Sequence, residues 1–220
     1  MYYALIPVCL CLMAVFLVQE NKKKYIPAVI LKGLASACFV ALGFLLSDRS
    51  KTAQLITAGL LLGAVADVLL NLRMVFPAKG QPVFLCGILV FLSGHILYLI
   101  AVMRGACHWW ICVIAGVLLT AMLMKWIFGR ITAKKAFKIF GVVYIGAIVL
   151  LNCAAVGNLI VSPSAFTAVF AAGAALFLVS DVVLILNTFG KETKQSLRVT
   201  NISMYYAGQI LIALSLMFLK

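Results

Sequence analysis

Two aspartates stand in settings where charge is costly. The stretch "GLLLGAVADVLLNL", residues 59–72, holds one ionisable side chain, Asp67, and "GAALFLVSDVVLIL", residues 173–186, holds one, Asp181. Ionisable groups inside so apolar a run mark functional sites by default, because a lone charge there costs at least a few kcal/mol. Burial disfavours the charged form of a carboxyl group, and a neighbouring carboxylate disfavours a second charge. A pair of them can therefore share a proton and offer an acid and a base at neutral pH. That chemistry suits hydrolysis of an acid-labile bond in a lipid, or proton coupling in a transporter.

Further polar residues fall within reach of the pair. Lys32, Asp67, Tyr144, Asp181 and Tyr205 each lie five or six residues from one end of an apolar segment, which is roughly 8–9 Å at the rise of an α-helix. Five polar side chains on five helices thus form one layer. Asn201, Tyr205 and Gln209 recur at i, i+4 and i+8 on one helix face. Gly59, Gly63, Asp67 and Asn71 share a face in the same way, and the glycines permit close helix packing. His95 and Tyr98 are one turn apart and nearer the midplane. Plainer roles exist for all of these. Lys32 could form a structural ion pair with either aspartate, and the Tyr, Asn, Gln and His side chains could serve as interhelical hydrogen bonders. Two carboxyls against one lysine still leave one acid unbalanced.

The elements that must position this layer are membrane helices. The 220 residues are 66% hydrophobic and 10% charged, with a mean hydropathy of +1.21. A soluble domain is nearer half apolar and a quarter charged. Eight segments approach the roughly 20 apolar residues a spanning helix needs: 2–18, 26–46, 53–72, 83–102, 109–124, 139–160, 165–186 and 199–219. The prediction is an all-α polytopic bundle forming a single integral membrane domain over 1–220. The opening "MYYALIPVCLCLMAVFLVQENKKK" has no basic leader or small-residue cleavage site and reads as a retained first helix.

An offset of 114 carries Asp67 onto Asp181 and "FLSGHILYL" (91–99) onto "YYAGQILIA" (205–213). This predicts parallel four-helix repeats with halves of about 1–105 and 106–220.

The net charge of +13 reports topology rather than nucleic-acid binding. Connections after helices 1, 3, 5 and 7 hold thirteen Lys and Arg, and the opposite side with both termini holds four. The positive-inside rule then puts both termini outside and the paired-carboxylate site towards the cytoplasmic face. The seven cysteines, at 9, 11, 38, 86, 107, 112 and 153, form no CxxC pair and read as free thiols packed like small hydrophobes. His95 lies roughly 10 Å deeper than the aspartates by helical rise, and His108 falls on the opposite side. No metal and no other cofactor is assigned.

"GLLLGAVADVLL", "FLSGHILYL", "GAALFLVSDVVL" and "YYAGQILIA", with a lysine early in helix 2, resemble the YhhN-like lysoplasmalogenase family in the expected order along most of the chain. Helix 2 has Lys32-Gly33 where the family pattern often has Lys-Pro. The resemblance implies cleavage of the vinyl ether bond of lysoplasmalogens to a fatty aldehyde and a glycerophospho-ethanolamine or -choline. It implies that Asp67 and Asp181 are the catalytic acids. Lys32 would hold one of them ionised or touch the phosphate, and a lysophospholipid and membrane lipids would be the partners. A proton-coupled transporter of a lipid or small metabolite is the alternative, although polar residues in the outer half are few.

Overall fold

In the computed structural model the described residues are 2–105, 108–133 and 135–219. They form eight long α-helices: α1 Leu5–Asn21, α2 Tyr25–Leu46, α3 Lys51–Val75, α4 Gly80–Met103, α5 Trp109–Phe128, α6 Lys135–Val161, α7 Ala165–Phe189 and α8 Gln195–Ser215. All eight are long and apolar enough to cross a membrane. Such a chain must satisfy its backbone within each segment, and the helix does this without help from water. Short polar caps start two of them. Ser50 accepts from the Ala53 amide at 3.2 Å, and Ser164 and Thr167 form a reciprocal capping box on α7.

The helices overrun the predicted apolar segments at charged ends. α3 continues to Val75, α6 starts at Lys135 and α8 starts at Gln195. Hydrophobicity marks only the part of a helix that lies in hydrocarbon, and a helix can extend into the polar interface. Cys107 lies outside the described residues. The cysteines at 9, 11, 38, 86, 112 and 153 are free thiols.

α8 is the most buried of the eight spans and has the lowest hydropathy among them. Those two facts belong together: a helix shielded from lipid by its neighbours tolerates Asn201, Tyr205, Tyr206 and Gln209, all buried. The outward surfaces carry large apolar side chains instead, among them Phe44, Trp109, Met122 and Ile160, as lipid contact requires.

Glycines set the closest crossings. A Cβ on Gly59 would strike the Tyr98 ring and come within 3.0 Å of the Gly94 carbonyl oxygen. One on Gly173 would meet the Gly208 carbonyl oxygen at 2.8 Å. α3 therefore crosses α4, and α7 crosses α8, with backbones almost in contact. A strand-like bridge between Ile131 and Gly190, with the Thr132 amide donating to the Phe189 carbonyl at 2.8 Å, ties the connection after α5 to that after α7. These two basic connections therefore sit at the same end of the bundle.

Candidate functional site

A cavity enters the bundle at that end. Its rim is built from helix ends: Arg73 near the end of α3, Phe84 early in α4, Phe137 early in α6, Phe189 ending α7 and Arg198 early in α8. Deeper inside, the cavity is lined by Lys32, Asp67, Tyr144, Asp181, Asn201 and Tyr205. The five residues predicted to share a layer thus surround one space, and Asn201 joins them. Nothing but helical rise was needed to anticipate that layer.

Asp67 is heavily solvated by protein. Lys32 Nζ lies 3.0 Å from its Oδ1, while Tyr205 Oη and Ser36 Oγ each donate to its Oδ2 at 2.6 Å. Asp67 and Lys32 are 2% and 4% exposed, so neither charge could be left alone without a large desolvation cost. Three donors thus converge on one carboxyl group, the pattern that suits a carboxylate acceptor. Ser36 in turn lies 3.1 Å from Tyr206 Oη, and that phenol donates to the Lys32 carbonyl at 3.2 Å. Gly33 lets α2 lie close to α3 at this point, since a Cβ there would meet Val68 at 3.2 Å.

Asp181 is equally buried, at 2% exposure, but differently served. Tyr144 Oη donates to its Oδ2 at 2.6 Å, and among the described residues no cation pairs with it. Its neighbour Ser180 clamps α7 to α8: Ser180 Oγ donates to the Asn201 carbonyl at 3.0 Å, and Asn201 Nδ2 donates back to the Ser180 carbonyl at 2.9 Å. Asn201 is therefore a positioning residue for the wall that carries Asp181.

His95, Tyr98 and Gln209 stand behind the cavity rather than in its lining. Tyr98 donates to Gln209 Oε1 at 2.9 Å, and Gln209 Nε2 donates to Tyr205 Oη at 3.4 Å, which continues to Asp67. Tyr98 and Gln209 thereby buttress Tyr205. His95 Nδ1 donates to its own helix at the Phe91 carbonyl, 2.8 Å away, and its ring packs on Phe177 with centroids 4.3 Å apart. No group of three or more His, Cys, Asp or Glu side chains among the described residues could hold a metal ion.

Sequence reasoning missed Ser36, Tyr206 and the rim arginines. Ser36 is one turn beyond Lys32, so helical periodicity could have found it. By sequence Arg198 belongs to a basic loop, because the apolar run of α8 begins at Val199. It lies on the helix and forks onto Glu20 of α1, with Nε to Oε2 at 2.9 Å and Nη2 to Oε1 at 2.7 Å.

Comparison with curated proteins returned no match, and neither did comparison with solved structures. The model of the YhhN family matches residues 27–216, from the start of α2 to the end of α8, and so includes every residue of the site just described except Glu20. The chain belongs to the YhhN family, the lysoplasmalogenase family.

Proposed function

We propose that this protein hydrolyses the alkenyl ether bond of lysoplasmalogen-type lysophospholipids, with Asp181 as the acid and Asp67 as the carboxylate. One observation carries the reading: two buried carboxyls face one cavity, and of the two only Asp67 has a cationic partner among the described residues. A carboxyl that accepts from Tyr144 at one oxygen leaves its other oxygen to carry a proton. Asp181 delivers that proton to the β-carbon of the alkenyl ether, and the C=C electrons form the new C–H bond. The α-carbon becomes an oxocarbenium ion, which the Asp67 carboxylate stabilises electrostatically. Water adds to that carbon, and its proton passes to a carboxylate. The hemiacetal then collapses to a fatty aldehyde and the glycerol hydroxyl, which restores the starting protonation. A single-chain amphiphile suits the cavity because its polar end meets the charged rim and the wall is otherwise largely apolar, with Leu70, Ile88, Leu184 and Ile185 among its residues.

The test supplies purified protein with lysoplasmalogen in heavy water and traps the aldehyde as it forms. Deuterium at the carbon next to the aldehyde carbon, slower turnover than in light water, and no product from a saturated ether analogue are expected. Aldehyde without solvent hydrogen at that carbon excludes the mechanism. Proton-dependent solute accumulation in sealed vesicles, without aldehyde, points to a transporter.

The same reading sets the cavity mouth at the cytoplasmic face of the inner membrane, supported by the thirteen-to-four distribution of basic residues. Single cysteines at Lys79 and Lys194, in a background without native cysteines, are expected to react with an impermeant thiol reagent only after permeabilisation. Labelling of both in intact cells would invert the topology.

A further inference from the structure

We infer that Arg73, supported by Arg198, binds the phosphate of the substrate at the cavity mouth. The charges on the cavity wall are unequally matched. Lys32 is paired with Asp67, and Arg198 with Glu20. Arg73 lines the same cavity and has no carboxylate within ion-pair distance among the described residues. Its guanidinium carbon sits 4.5 Å from the centroid of the Phe84 ring. This contact positions the head by a cation–π interaction, and the guanidinium N–H groups have no hydrogen bond or ion pair among the described residues. Their fork matches two oxygens of a phosphate.

Arg198 contributes the second cation. Glu20 takes its Nε and Nη2, and Asn201 Oδ1 takes Nη1 at 3.4 Å, so its head is fixed in place while two of its N–H groups remain. Both guanidiniums line the same cavity, and the one carboxylate paired with either of them among the described residues, Glu20, is held by Arg198. Asn71, buried and lining the cavity with no protein hydrogen bond to its amide among the described residues, adds a neutral donor beside them.

The spacing agrees with the chemistry proposed for the deeper carboxyls, and the assignment of a lysophospholipid rests on that reading. Arg73 follows Asp67 by six residues on α3, a rise of roughly 9 Å. In an alkenyl glycerophospholipid the reacting β-carbon and the phosphorus are separated by about seven bonds, roughly 8 Å when extended at the reach per bond of a polypeptide backbone. A phosphate on Arg73 therefore leaves the alkenyl ether at the depth of the carboxyls.

The test uses uncleavable ligands, so its outcome does not depend on ether hydrolysis. Binding of a saturated 1-O-alkyl-lysophosphocholine and of the matching 1-O-alkylglycerol, which lacks phosphate, is measured on detergent-purified full-length protein. Wild type is expected to prefer the phosphate-bearing lipid by about tenfold or more, the scale of one charge-assisted contact. Arg73→Gln should lose that preference while binding the alkylglycerol as wild type does, and Arg73→Lys should keep part of it. Equal binding of the two lipids by wild type, or an undiminished preference in Arg73→Gln, overturns the inference. Inorganic phosphate at the concentration of the lipid is expected not to compete; if it displaces the lipid as well as the lipid displaces itself, the site takes free phosphate and the lipid assignment fails. Loss of aldehyde release alongside intact phosphate preference would instead count against the ether-hydrolysis reading and leave this one standing.

Discussion

Asp67 and Asp181 occupy matching places in the chain and have opposite surroundings. They are 114 residues apart (181 − 67), and the same distance separates both ends of α3 from those of α7. Each donor to Asp67 can be compared with the residue 114 positions away. Lys32 corresponds to Gly146, Ser36 to Leu150, and Tyr205 to Phe91. An ammonium and two hydroxyls on one side are matched by a bare glycine and two apolar side chains on the other. Phe91 packs against Phe177, one turn before Asp181, with ring centroids 5.4 Å apart. The one donor to Asp181 among the described residues is Tyr144, whose counterpart in the first half is Ile30, exposed on the outer surface of α2. Similar helices thus give the two carboxyls different neighbours, an ammonium and two hydroxyls on Asp67 against one phenol on Asp181, and the proposed division into acid and carboxylate rests on that difference.

The largest expected effect comes from removing each carboxyl. Asp67→Asn and Asp181→Asn should each lower turnover by about a thousandfold or more, since general acid–base contributions run to roughly 10²–10⁴ and an amide neither gives nor takes the proton. Stability should separate them. Asp67→Asn leaves Lys32 buried beside a neutral amide, a loss of about 3–5 kcal/mol for a broken buried pair, and should lower the melting temperature in detergent. Adding Lys32→Met should restore much of that loss. Asp181→Asn still presents an acceptor to Tyr144 and should shift stability by no more than about 1 kcal/mol. Near wild-type turnover in either variant would sink the two-carboxyl mechanism, and equal destabilisation would erase the contrast between the sites.

The phenols give a smaller and more discriminating effect. Tyr205→Phe leaves Asp67 with Lys32 and Ser36, so a loss of about 1 kcal/mol, a few-fold in rate, is expected. Tyr144→Phe removes the hydrogen bond that stabilises the ionised form of Asp181. That form should then become harder to reach, and the alkaline limb of the activity profile should move to higher pH. In wild type, activity should fall at high pH as the acid loses its proton and at low pH as the carboxylate gains one, with both limbs belonging to the coupled pair. A profile in which Tyr205→Phe moves the alkaline limb and Tyr144→Phe does not would exchange the two roles.

Much of this arrangement was legible in the sequence, and the part that was not has a physical reason. Apolar length located all eight helices, and counting rise from their ends placed Lys32, Asp67, Tyr144, Asp181 and Tyr205 in one layer. Depth along a helix depends only on position in the chain. Which residues face each other across helices depends on rotation and packing, and this is why Lys32 could be assigned to either aspartate until Asp67 was seen 3.0 Å away. Polarity alone groups His95, Tyr98 and Gln209 with the site, whereas close packing at Gly59 and Gly94 puts the Tyr98 ring against α3. Ser36 went unnoticed because a serine costs little in a membrane helix and so gives no alarm. The rim arginines escaped because charge at a helix end is ordinary until its partners are known.

The central claim is that one carboxyl is an acid and the other a carboxylate, and infrared spectroscopy reads protonation directly. At the pH of maximal activity, wild-type protein in detergent should show the carbonyl stretch of a buried protonated carboxyl group, shifted in heavy water. That band should vanish in Asp181→Asn and persist in Asp67→Asn. A band that survives in Asp181→Asn and is lost in Asp67→Asn would contradict the account.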